Sequence, residues 1–404
     1  MNDMNISQAS TVLGEIVEQA TGQSVLAPIN TPGDFVSVAQ TALKTGLDPV
    51  LNAISQVWSR TIFAYRPSTI ENRSLEMDID RWGNAVRKIS PIARKMENDA
   101  GYEYPVTYDA VGHASNPLGN GLNVDHYTIQ KQESLQTNFY GSAVYQQRYT
   151  VFKDQFESAF TSPTEFAQFN AMNIGERAND LIRYKSAVGR GLQLNYIGAL
   201  LDEGKQERVV HLLREYNAET GLTLTAQAVY QPENFAPFMR WVWARIKTII
   251  RYMGVDSEMY QTVINSKPIL RHTSPANMRV AMFAKAYDQI ETMVMADTYH
   301  DNYLQGVTFE AVPYWQSIQT PDSINVKPVY TDTTGAVKNA ESAVTQAGIL
   351  AVLHDRDAIG YCFTNTESNT TPLNAKGRYW NTFVNAKVKT ISDMTEKGVV
   401  LLLD

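Results

Sequence analysis

Cysteine is almost missing from this chain of 404 residues, in which Cys362 stands alone. A single thiol excludes an intrachain disulfide framework and any zinc site built on several cysteines, and it fits a reducing compartment. Set between Tyr361 and Phe363, it reads as a small buried hydrophobe. Long apolar runs are missing too: no segment approaches the ~18 uninterrupted apolar residues of a membrane-spanning helix. The opening MNDMNISQAS has neither the basic start nor the apolar centre of a signal peptide, so work in a cytosol-like medium, with no membrane partner, is expected. Nor is there an excess of positive charge. With 35 Lys+Arg against 42 Asp+Glu the net charge is -7, which excludes bulk attraction to nucleic acid or anionic lipid.

Signatures of catalysis are absent as well. The chain has no HExxH, no GxxxxGK and no complete GxSxG, since Gly22-Gln-Ser24-Val-Leu26 lacks the closing glycine. Gly119-Asn-Gly121 and Gly189-Arg-Gly191 begin like a dinucleotide fingerprint without its third glycine. The best remaining constellation is His354-Asp355-Arg356-Asp357, where Asp355 and Asp357 at i,i+2 would share a strand face beside His354. A metal-dependent hydrolase would use such residues, but it needs further ligands that nothing marks, and a charged hairpin tip is the plainer reading. The other five histidines are scattered singly. No enzyme, no cofactor and no metal site is therefore expected, and a large chain without an active site points to an assembly protein.

What is present is ordinary globular material, 44% hydrophobic and 19% charged, with length for two or three lobes. Residues 1–33 are polar and weakly patterned, an arm that is extended or only partly helical. From Phe35 to Ile62 the apolar spacing suggests two helices, broken near Gly46 and Pro49. Strand-like pieces follow over 68–150: Leu75, Met77 and Ile79 alternate with acids, and Leu135, Phe139, Tyr145, Tyr149 and Val151 keep one parity. So few apolar positions cannot bury a core, which suggests an excursion that packs on another chain.

The dominant stretch runs from Ser162 to Gly204. Ser162, Pro163 and Glu165 form a capping signal, Gly204 suits a left-handed stop, and Leu181, Val188, Leu192, Ile197, Leu200 and Leu201 recur at helical spacing. This is a long spine; Gly189, Gly191 and Gly198 inside it leave one helix or two open. Beyond it the pattern predicts a strand over Val209–Leu213, a loop to Pro232, a helix over Glu233–Met253 with a solvated basic face, and a strand over Pro268–Arg271. A helix from Ser274 to Tyr299, a polar surface insertion at 317–346, and a hairpin of Ile349–Leu353 with Ile359–Phe363 come next. Val384, Ala386 and Val388 alternate with polar residues, and Val399–Leu403 reads as a strand buried on both faces. The fold class is α+β.

Two blocks carry a family resemblance. VYQQRYTVFKDQFESAFTSPTEFAQFNAMN leads into the spine, and LAVLHDRDAIGYCFT is followed by NAKGRYWNTFVNAKVKTISDMTEKGVVLLLD, with Asn374, Gly377, Tyr379, Trp380 and Asn381 the most specific residues. With the order arm, β excursion, spine, mixed lobe and returning strand, the chain resembles the Hong Kong 97-type major capsid proteins of tailed bacteriophages, above all those of small short-tailed phages of the phi-29 type. The resemblance implies an N-terminal arm at 1–66, an E-loop at 67–150, a peripheral domain at 151–215 and 378–404 carrying the spine, and an axial domain at 216–377. It implies a major capsid (head) protein that self-assembles as hexamers and pentamers into an icosahedral or prolate shell around double-stranded DNA. Assembly would take place in the host bacterial cytoplasm, and the product would be the virion capsid. A separate scaffolding protein and a portal protein would be partners, with DNA held by confinement and not by sequence. An encapsulin-like compartment shares the fold and is the alternative. In the E-loop, Arg81, Trp82, Arg87, Lys88, Arg94 and Lys95 form a basic strip with an aromatic anchor, suited to an acidic face of a neighbouring subunit. Lys88 and Lys95 have no identifiable acid catalyst or partner asparagine, so covalent cross-linking is not expected.

Overall fold

A computed structural model describes residues 11, 13–18, 31–45, 73–77, 85–92, 133–140, 142–154, 163–267, 269–293 and 307–404. The spine is one unbroken helix. Here α1 is Pro32–Thr45 and α2, the spine, is Pro163–Glu203, whose 41 residues make it about 60 Å long. A reciprocal capping box starts α1: Thr31 Oγ1 accepts from the Asp34 N–H and the Asp34 carboxylate accepts from the Thr31 N–H. The spine stops at Gly204, which adopts φ 64° and donates its N–H to the Leu200 carbonyl. Toward that end Tyr196, Ile197, Ala199 and Leu200 are fully buried.

What the spine packs on is a five-stranded sheet, in the order β4 (Val209–His211), β14 (Gly398–Leu402), β11 (Ile349–Asp355), β5 (Met278–Phe283), β6 (Thr308–Val312). Alternation along the central strands explains why they are buried on both sides. Val400, Leu402, Val352 and Ala281 face the spine, whereas Val399, Leu401, Leu353, Val280 and Met282 face the helices of the other layer. That layer holds α3 (Leu212–Thr220), α4 (Ala226–Val229), α5 (Pro232–Met253) and α6 (Ala284–Met293). Phe235, Phe238, Met239, Val242, Ile246, Ile249, Ile250 and Met253, at helical spacing along α5, are all buried there, with Trp243 in addition, and its basic face is not wholly solvated because Arg245 forms a two-pronged pair with Glu215.

A second sheet runs β12 (Ile359–Thr370), β13 (Tyr379–Ser392), β3 (Ser142–Phe152), all antiparallel. Beside it stands a hairpin-like ladder of β1 (Ala85–Pro91) with β2 (Ser134–Tyr140).

Several expectations are corrected. The stretch between β4 and Pro232 is helical and not a loop: Leu212, Leu213 and Tyr216 bury one face of α3, and Thr225 caps α4 through the Ala228 N–H. Met278–Phe283 is a strand and not the first turns of a helix, since its side chains alternate between two apolar layers. Of the strand read over Pro268–Arg271, the described residues 269–271 show only a lone bridge, between Arg271 and Ser257. Around Leu75 the chain forms a 3-10 turn, after which Glu76 bridges Tyr361. The segments flanking His354-Asp355-Arg356-Asp357 do not form a hairpin, because the chain changes sheets there: β11 pairs with β14 and β5, β12 with β13. Within 378–404, β13 lies in the second, three-stranded sheet and β14 in the five-stranded sheet, between β4 and β11.

The polar stretch at 317–346 is surface, but it is docked. Its ladders are β7 (Ile324–Val326) with β10 (Val344–Gln346) and β8 (Val329–Thr331) with β9 (Val337–Asn339). Three spine positions one or two turns apart receive them. Asn195 exchanges hydrogen bonds with both backbone groups of Val329, and Asp202 accepts from Tyr330 Oη and Lys338. Between the two, a Cβ on Gly198 would stand 2.7 Å from Val326 Cγ2. Glycine in a helix costs about 1 kcal/mol, and here it permits close approach.

Candidate assembly surfaces

The hydrolase candidate dissolves into structure. His354 and Asp355 are buried, and the Asp355 N–H donates to the Lys397 carbonyl while its carboxylate accepts from the Asp357 N–H. His354 Nδ1–H donates to the Asp355 carbonyl, and burial pushes the imidazole pKa down to about 4, so the ring is neutral. Among the described residues no group of three or more His, Cys, Asp or Glu is placed to hold a metal, and no helix is long and apolar enough to cross a membrane. Cys362 is buried, as a small hydrophobe would be.

Strand β1 shows two faces of opposite character. Lys88, Ser90 and Ile92 point to the body, whereas Arg87 and Ile89 are exposed, Ile89 by 58%. Lys88 Nζ lies 2.8 Å from Asp393 Oδ2 and also pairs with Glu396. Arg271 reaches the same Glu396 at 2.5 Å and donates to Ser90 Oγ and Thr395 Oγ1. Burial raises the Glu396 carboxyl pKa, against the pull of Lys88 and Arg271. At the base of the ladder the Ile92 N–H donates to the Glu133 carbonyl, and the Glu133 carboxylate meets Lys267 at 2.5 Å. So of the six basic-strip residues, Lys88 is engaged within its own chain and Arg87 faces outward, while Arg81, Trp82, Arg94 and Lys95 lie outside the described residues.

The acids that receive Lys88 have a readable trace: Asp393, Glu396 and Lys397 are the only charges in the last apolar stretch before Asp404. All three are buried. A second buried cluster gives no signal in the sequence. Arg208, fully inaccessible, donates to Glu203, Thr262 Oγ1, Tyr196 Oη and the carbonyls of Met394 and Gly398, which locks the end of the spine to the final strand.

Comparison with known proteins bears on what these surfaces serve. No curated protein sequence matches the chain. A chain in the capsid structure of Staphylococcus phage Andhra superposes with TM-score 0.53 at 8% identity, over 84% of this chain and 86% of that one. One in a structure of the head fiber and inner core protein gp22 of native bacteriophage P68 gives 0.50 at 8% identity, over 83% and 85%. At such identity the likeness speaks for the fold alone. Sequence supplies the rest, because residues 123–399 match the Phi29-like phage major capsid protein family across more than half of the chain. The span takes in β3, the spine, both layers around the five-stranded sheet and the start of the final strand, and the chain belongs to that family.

Proposed function

We propose that this major capsid protein builds a shell of hexamers and pentamers, icosahedral or prolate, in which the β1–β2 ladder and its flanks grip a neighbouring subunit. The chain is a structural subunit of a tailed-phage head, not an enzyme, and its place is the virion shell. The observation that carries the proposed grip is the asymmetry of β1: an anchored inner face, and an outer face that leaves Arg87 and Ile89 open to solvent. An obligate assembly buries more than about 2,000 Å² per interface, and outlying elements supply such area at little cost to the body. Arg81, Trp82, Arg94 and Lys95 are proposed to extend this face toward acidic partners, with Lys88 holding the ladder in position.

In domain terms, α2 and the β12–β13–β3 sheet make up the peripheral unit, and the five-stranded sheet with α3 to α6 makes up the axial unit, into which the chain returns at β14. A scaffolding protein, a portal protein and packaged double-stranded DNA are the proposed partners, with assembly in the host cytoplasm. The net charge of -7 supports DNA held by confinement, because a strongly basic lining would hamper its entry. Negative-stain microscopy and sizing of the purified protein, alone and with its scaffolding protein, test the reading: closed shells or capsomer rings are expected. A clean monomer under both conditions would count against it. Trp82→Ala combined with Arg87→Glu should abolish particles while leaving the subunit folded, and normal particles from that variant would refute the grip.

A further inference from the structure

Strands β2 and β3 follow one another with only Gly141 between them. At the start of β2 the Ile92 N–H donates to the Glu133 carbonyl, and past the end of β3 the Lys153 N–H donates to the Arg378 carbonyl. Both bonds continue unbroken antiparallel registers, so the odd-numbered residues turn their peptide groups toward β1 or β13. The even-numbered residues turn theirs to the opposite edge. Side chains keep the same parity. Tyr145 stacks on Tyr184 of the spine and Gln147 donates to Asp180, whereas Gln136, Asn138, Val144, Gln146, Arg148 and Phe152 are exposed. The parity is the same on both sides of Gly141, so the two strands open the same edge, with which no strand pairs among the described residues.

An open edge is a template for another strand, and folded chains blunt it with proline, lysine, a bulge or a short length. None of these is used over 134–152. The stretch holds no proline and no lysine, carries Arg148 as its one charge, and runs without a bulge in either register. Other edges differ: β4 and β6 are 3 and 5 residues long, and β12 is bulged between Thr364 and Glu367 and bridged at Tyr361 by Glu76.

We propose that the edge of 134–152 pairs antiparallel with the same edge of a second copy, about a two-fold axis at Ala143. Like edges in this arrangement are self-complementary, since each outward residue supplies one N–H and one C=O to the residue opposite. Full overlap sets Gln136 opposite Thr150, Asn138 opposite Arg148 and Ser142 opposite Val144, all even-numbered, as the bonding requires. Charge favours this register: Arg148 faces an amide, whereas a strand slipped to centre on Arg148 would oppose two like charges. The 7 residues of β2 and the 11 of β3 approach the ~20–30 residues a side of a standard interface, so the seam is long enough for a stable contact. Such a contact is isologous and joins copies two by two, unlike the head-to-tail contacts that close a ring. It therefore links one capsomer to the next. The inference rests on the capsid reading and adds to it the strand that joins capsomers.

Cysteine trapping tests the register. Ala143 is exposed, and across the axis two such residues form a non-bonded pair with Cα atoms about 4.5 Å apart, within disulfide range. The chain's own thiol, Cys362, is buried. In oxidised shells, assembled with the scaffolding protein, Ala143→Cys should give linked dimers on a denaturing gel, and Thr150→Cys alone should stay monomeric. Gln136→Cys with Thr150→Cys in one chain should also stop at dimers, because both bonds fall within one pair. A ladder of longer products would mean a head-to-tail seam and overturn the inference, as would intact shells without dimers from Ala143→Cys. Hydrogen exchange reads the unaltered chain: peptides within 134–152 should exchange at least tenfold more slowly in shells than in dissociated subunits. Equal exchange would overturn the inference, and protection without Ala143→Cys dimers would assign the edge to a different strand and overturn it too. Val144→Pro removes an outward N–H and spares the bonds to β13, so it should leave the circular dichroism of the subunit unchanged and reduce shell yield at least tenfold. A normal yield from that variant would count against the seam. Failure of the unaltered chain to form any shell would instead sink the capsid reading, and this contact with it.

Discussion

Two glycines in the spine, seven residues apart, should respond to the same substitution with opposite sign. A methyl group added at Gly191 would meet nothing within 4 Å, so Gly191→Ala should stabilise the helix by about 0.8–1 kcal/mol, the difference in intrinsic helix propensity. At Gly198 the same methyl would sit 2.7 Å from Val326 Cγ2 and 3.3 Å from Pro328 Cβ. Gly198→Ala gains the same propensity but incurs about 1–3 kcal/mol of overpacking, for a net effect between neutral and a loss of about 2 kcal/mol. Melting is a poor readout. At about 2.1 cal/mol/K per residue, 1 kcal/mol moves the Tm of a chain this long by only about 1 °C. Hydrogen exchange measured by mass spectrometry is local and therefore better suited, since 1 kcal/mol changes a local opening equilibrium about fivefold. Peptides of the spine should exchange up to about fivefold more slowly in Gly191→Ala. In Gly198→Ala, peptides covering β7 to β10 should exchange faster, by up to about thirtyfold. Equal protection in both variants would refute the argument that Gly198 exists to seat the 317–346 segment.

Three further perturbations follow from buried ionisable groups. Arg208→Met should destabilise the subunit by about 3–5 kcal/mol in urea titration, because Glu203 loses its buried partner and the Met394 and Gly398 carbonyls lose donors; a loss under 1 kcal/mol would show the cluster to be incidental. His354, held near a pKa of about 4 by burial, contributes stability that is full above its unfolded value of about 6.5 and is lost as pH falls through about 4. His354→Phe should flatten the stability–pH curve in that window by about 3 kcal/mol, and a curve unchanged from the parent would contradict the assignment. Lys397, depressed to about 8 by burial, binds its proton less tightly when folded, so stability should rise with pH from about 8 to 10.5; Lys397→Met should remove that rise.

Legibility in the sequence follows the length scale of each signal. The spine, α5 and β13 are visible because each repeats one period over many residues, and the final strand because it is a short unbroken apolar run, buried throughout. Short segments mislead where local propensity and tertiary placement disagree. MRVAMF follows a Ser-Pro start signal that elsewhere begins helices, yet pairing with β11 and β6 makes it a strand. Ile349–Asp355 and Ile359–Thr370 resemble hairpin partners from their spacing alone; pairing across different sheets is a long-range fact that no local window contains. On the candidate surfaces, charge type is readable but direction is not. Lys88 and Arg87 are neighbours in sequence, and only the alternation of a strand sends one to Asp393 and the other to solvent.

Charged residues buried in a chain without an active site call for a different use, and their positions suggest one. Arg208 joins the end of the spine to the final strand, Lys397 holds the turn after α5 through the Val255 carbonyl and Ser257, and Asp393 with Glu396 takes up Lys88 from the β1–β2 ladder. All of these contacts meet the segment 393–398, which leads from the long three-stranded sheet into the five-stranded one. Apolar packing is tolerant of small rotations, whereas charge-assisted hydrogen bonds to carbonyls and carboxylates have defined lengths and angles. A shell multiplies any error in subunit geometry by the number of copies, so a subunit benefits from polar contacts where its spine, ladder and the turn after α5 converge, even though an apolar cluster would serve stability equally well. On this argument the segment 393–398 sets the angle between the spine and the β1–β2 ladder, the element proposed to grip a neighbour. Replacing its buried charges by apolar residues of similar volume should therefore leave folding stability within about 2 kcal/mol while broadening the size distribution of the shells. A uniform size distribution in such a variant would show that the apolar layers alone define the geometry.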